Sequence, residues 1–111
     1  MHMGAYKLNS KVTDQLVRES INLGHSYLEK ATILRRQSNE SMNMADKARF
    51  ISDPDLSKAA VIYNRNQAAN YALDSKKSLD LAFQNLDRAK SRKYTPTEKV
   101  EMLASMVSRR R

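Results

Sequence analysis

The chain has 111 residues, 41% of them hydrophobic and 6% aromatic, with two Gly, two Pro, no Cys and no Trp. That is enough for one modest core, with too few turn residues for a strand-rich fold, so the composition points to an all-helical single domain. A net charge of +8 points toward anionic partners, and the lack of Cys excludes disulfides, thiolate nucleophiles and sulfur-ligated zinc.

The charge is unevenly placed. Lys and Arg outnumber Asp and Glu by 8 to 5 over residues 1–50, by 6 to 5 over 51–90 and by 6 to 2 over 91–111. Half of the excess therefore sits in a basic C-terminal segment that ends in Arg109-Arg110-Arg111. No apolar run approaches the roughly 20 residues of a membrane-spanning helix, and the N-terminus lacks the apolar stretch of a signal peptide. The expectation is a soluble, cytoplasmic protein without a membrane span.

Residues 1–9 read as a flexible N-terminus, whose opening Met1-His2-Met3-Gly4 resembles in part a tag remnant and is set apart from the fold. Helix is expected from Asn9 or Ser10, either of which can cap a first turn, to about Phe50. Steps of four and three from Ser20 pick out Gly24, Tyr27, Ala31, Leu34, Ser38, Ser41, Ala45 and Ala48, a heptad-like seam of mostly small residues. The polar stretch Arg35 to Ser41 weakens this seam, but it contains no Gly or Pro, and the reading favours one continuous helix over an interruption near Ser38.

Ile51-Ser52-Asp53-Pro54-Asp55-Leu56 is the sharpest local signal. Asp53 can accept from first-turn N–H groups, Pro54 lacks an N–H that would be unpaired there anyway, and Asp55 suits the positive end of the helix dipole. A second helix should run from this bend to about Lys90 or Arg92. Its expected seam is Val61, Ala68, Ala72, Ser75, Leu79, Ala82, Leu86 and Ala89. A reversal at 52–55 places Ala45 opposite Val61, Leu34 opposite Ala72, Tyr27 opposite Leu79 and Gly24 opposite Ala82. The expected packing interface is Tyr27, Leu34, Ala72, Leu79, Ala82 and Leu86.

Thr95-Pro96-Thr97-Glu98 has a Thr cap, a Pro at the first helical position and a Glu three residues after the cap, the full signature of a capping box. It opens a short third helix to which Val100, Leu103, Ala104 and Val107, with Met102 and Met106, give an apolar face. The predicted organisation is a flexible segment over 1–9, a helical hairpin over 10–94 and a capped helix with basic tail over 95–111. Together they make a three- or four-helix bundle, completed by oligomerisation because a thin hairpin offers the third helix little surface.

Little in this inventory suggests catalysis. The only His residues are His2 and His25, too few for a metal site, and His25 with Glu29 reads as a plain helix-surface pair. Ser26 adjoins His25 but points about 100° away on a helix, and no Gly-rich phosphate loop is present. We expect no catalytic residue, no metal and no cofactor. The basic residues are the functional candidates. Lys90, Arg92 and Lys93 in the linker, Arg109, Arg110 and Arg111 at the end, and Arg35 and Arg36 at the polar waist could neutralise phosphates, with Tyr94 stacking on a base.

The bend Ser52-Asp53-Pro54-Asp55-Leu56, followed by Tyr63-Asn64-Arg65-Asn66, resembles the needle-forming subunits of type III secretion systems. That likeness implies a two-helix hairpin subunit that packs into a tube, with Asp53, Pro54 and Leu56 at its bend. It covers residues 52–66 alone, and the chain departs from the pattern in a longer first helix, a shorter spacing from bend to Tyr63 and a third helix.

The first functional reading is a small non-enzymatic bundle that oligomerises and binds nucleic acid or another polyanion, as a phage, plasmid or chromosomal accessory factor would. The alternative is a structural or adaptor subunit that docks a protein partner by helix packing, such as a secretion-apparatus or filament component.

Overall fold

The computed structural model describes residues 3–109, with side chains over 11–108. It is all-α. Helix α1 spans Met3–Ala48, α2 spans Pro54–Ser91 and α3 spans Pro96–Arg109, with α1 and α2 packed antiparallel. Helix α1 runs unbroken through Ser38, as the absence of Gly and Pro there implies. It starts at Met3 rather than at Asn9 or Ser10, since nothing between Ala5 and Ser10 breaks a helix and a cap-forming residue costs little inside one.

The predicted boundary signals at Asp53 and at Thr95 with Glu98 have their partners. Asp53 Oδ1 accepts from the N–H of Asp55 at 3.0 Å and of Leu56 at 3.2 Å, and the Ser57 hydroxyl donates to the Ala48 carbonyl at 2.8 Å, closing the end of α1. At α3 the box is reciprocal: the Glu98 N–H donates to Thr95 Oγ1 at 3.1 Å, and the Thr95 N–H donates to Glu98 Oε1 at 3.2 Å. The other Glu98 oxygen pairs with Arg88 of α2.

The Thr95 N–H, then the Thr95 hydroxyl, then the Arg88 charge hold the Glu98 carboxyl below its ordinary pKa of 4.5. A depressed carboxylate contributes stability in full above its ordinary pKa and loses it as pH falls through the lowered one. Glu98→Gln should therefore flatten the acid limb of thermal stability as pH falls below the ordinary carboxylate value of 4.5. Melting curves of the two proteins across that range check this, and parallel curves would count against it.

Contacts divide the described chain into two units, one from the residues up to Ser26 with those from Leu81 onward, the other Tyr27–Asp80. In the first, α3 joins the two long helices. Leu16, Ser20 and Ala82 are fully enclosed, and Asn85 and Met102 are 5% and 6% exposed. The linker residue Tyr94 shares a 2.9 Å hydrogen bond with the Ser20 hydroxyl. Gly24 sits where a Cβ would lie 2.7 Å from Leu86 Cγ, so glycine is what lets the helices approach here.

The Tyr27–Asp80 unit is α1 against α2 alone. The expected α1 seam is correct at every position, from Tyr27 through Ala48 in this unit and at Ser20 and Gly24 in the other, each buried or half-buried. The expected α2 seam holds at Val61, Ala68, Ser75, Ala82, Leu86 and Ala89, each buried or half-buried, and is rotated locally, to Tyr71 and Ser78 in place of Ala72 and Leu79. The observed stripe passes through Ser57, Val61, Asn64, Ala68, Tyr71, Ser75 and Ser78, and its spacing continues to Ala82, Asn85 and Ala89 in the other unit, whereas Ala72 and Leu79 are exposed. Serine hydroxyls reach main-chain carbonyls across the seam: Ser75 Oγ donates to the Ala31 carbonyl at 2.7 Å and Ser38 Oγ to the Ala68 carbonyl at 2.8 Å.

Candidate functional site

The basic candidates fall in both units. Lys90 and Lys93 are exposed, without an ion pair among the described residues. Arg92 between them has a structural task. It adopts φ 59°, the left-handed conformation that ends many helices, and its N–H donates to the Arg88 carbonyl at 2.8 Å. Its guanidinium then pairs with Asp14. That pairing compensates a conformation costly for any residue but glycine. Tyr94 is half-buried, and its hydroxyl is shared with Ser20. The Arg109 side chain, Arg110 and Arg111 lie outside the described residues.

Arg35 and Arg36 are exposed on α1, likewise without an ion pair among the described residues. They edge two overlapping depressions of about 410 Å³ each along one side of the Tyr27–Asp80 hairpin. Leu28, Ala31, Ala72 and Leu79 give these depressions their apolar surface, Ser38, Asn39 and Ser75 line them between the helices, and Lys76 adds a cation from α2. No lining residue is acidic.

The packing candidates separate in the same way. Tyr27 and Leu34 are half-buried in the seam, Ala82 is fully buried, and half-buried Leu86 covers Gly24. Ala72 and Leu79 line the depressions instead. Ser57, Asn64, Tyr71 and Ser78 are the seam residues that sequence reasoning missed. Their signal was an unbroken four-three alternation from Ser57 through Val61, Asn64, Ala68, Tyr71 and Ser75 to Ser78, which a search weighted toward apolar residues passes over.

The balance of apolar burial in the Tyr27–Asp80 unit is inverted. Its fully buried hydrophobic residues are all alanines, at 31, 45, 48 and 68. Ten large apolar residues face outward, among them Ile33, Met44, Ile62, Tyr63 and Leu73, with Phe50 at 88% exposure and Leu56 at 58% crowning the bend. Among the described residues no helix is long and apolar enough to cross a membrane, and no three metal-ligating side chains converge. No protein-family model, curated protein or solved structure matches the chain.

Proposed function

We propose that this protein is a non-enzymatic helix-packing subunit, whose Tyr27–Asp80 hairpin associates with further helices, its own copies included. The inverted burial of that unit carries the reading. Monomeric proteins leave single apolar side chains exposed as a matter of course, but a hairpin that encloses alanines and presents Ile, Leu, Met and Phe has its large apolar side chains on the wrong side for isolation. Covering them against a second hairpin stabilises by about 25 cal/mol for each Å² removed from water. Purified protein should therefore sediment as species heavier than the 12.7 kDa chain, with the distribution shifting upward with concentration. Ile33→Glu with Leu73→Glu, both exposed and outside the seam, should return it to the single-chain mass with its helical spectrum intact. A parent protein that sediments as one chain at all concentrations defeats the reading.

Polyanion binding is the second reading, supported by Lys90 and Lys93, exposed and without an ion pair among the described residues, and by the run of arginines that ends the sequence. Its mechanism is counterion release from phosphates, so affinity for mixed-sequence DNA would fall steeply with salt.

A further inference from the structure

The hairpin has a second repeat on α2 that its own fold does not use. Ile62, Arg65, Ala69, Ala72, Lys76 and Leu79 follow one another by alternating steps of three and four, the spacing of a helix-packing stripe, and all six are exposed. Across the depressions described above, α1 contributes Leu28 and Arg35. The result is a groove lined by apolar side chains and by serines already committed to the seam, with cations on both helices and no lining carboxylate.

We propose that this groove is the docking site for one amphipathic helix of a protein partner, apolar on the face it buries and acidic along its flanks. This rests on the helix-packing reading and names the partner's chemistry. A helix lays an apolar stripe into such a groove at three-four spacing, and flanking carboxylates meet Arg35 and Arg36 on one side and Arg65 and Lys76 on the other. Charge also selects against the simplest alternative. Two copies meeting through this face would set Arg35 and Lys76 against the same cations, a juxtaposition that opposes association.

The test uses the full chain and two fluorescein-labelled peptides of three heptads, both with Leu at the a and d positions, one with Glu and one with Lys at e and g. The Glu peptide should bind at least about tenfold tighter than the Lys peptide, the return from a few exposed ion pairs acting together. Arg35→Glu with Lys76→Glu should reverse that preference. Lys90→Glu with Lys93→Glu, an identical change of net charge outside the groove, should leave it as it was. Equal binding of the two peptides, equal effects of the two double variants, or displacement of the Glu peptide by duplex DNA would each overturn the proposal. Failure of the Glu peptide to bind a chain that still self-associates overturns the groove and leaves the packing reading standing. Failure of both removes both.

Discussion

Leu16→Ala should lower the free energy of unfolding by about 3 kcal/mol, one of the two largest expected losses from a single substitution here. Leu16 is 0% exposed, the largest side chain so completely enclosed. It lies in the unit where α1, α2 and α3 come together, which is why a large side chain can be buried there at all. Truncation removes its transfer free energy and leaves a cavity in a fully enclosed position. Ile21→Ala, one and a half turns further along the same helix and 37% exposed, should cost less than about 1 kcal/mol. Urea titrations followed by helical circular dichroism measure both. Equal losses for the two variants would mean that the interior of this unit is not built around Leu16.

The same contrast between the units explains what the amino-acid sequence disclosed. Helix boundaries were legible because they depend on neighbours in sequence: Asp53 caps with its own next two N–H groups, and Thr95 and Glu98 satisfy each other within one turn. The α1 seam was legible because small residues recur along it at heptad spacing without competition. Helix α2 carries two heptad stripes, one through Tyr71 and Ser78, the other through Ala72 and Leu79. Hydrophobicity favours the second, whereas the structure buries the first, with Tyr71 half-buried and Ser78 5% exposed. That choice depends on a helix far away in sequence. So does the position of Arg92, whose left-handed backbone ends α2 and whose guanidinium pairs with Asp14.

The rotated stripe has a direct consequence for two alanines four residues apart. Ala68→Leu should destabilise the protein by about 3 kcal/mol, and Ala72→Leu should change stability by less than about 0.5 kcal/mol. Ala68 is 3% exposed, and its carbonyl accepts the Ser38 hydroxyl at 2.8 Å. Three added carbons there force the helices apart, with overpacking of about 1–3 kcal/mol, and stretch the Ser38 bond and its neighbour from Ser75 to Ala31, each worth about 1 kcal/mol. Ala72 is exposed beside the groove, Leu and Ala differ little in helix propensity, and the added side chain has open space to enter. An apolar reading of the seam ranks these sites alike, because it places both in the interface. Urea midpoints decide between the two arrangements. A large loss from Ala72→Leu with a small one from Ala68→Leu would return Leu79 and Ala72 to the hairpin interior and close the groove. The expected order leaves that stripe facing outward and free to pack a partner helix.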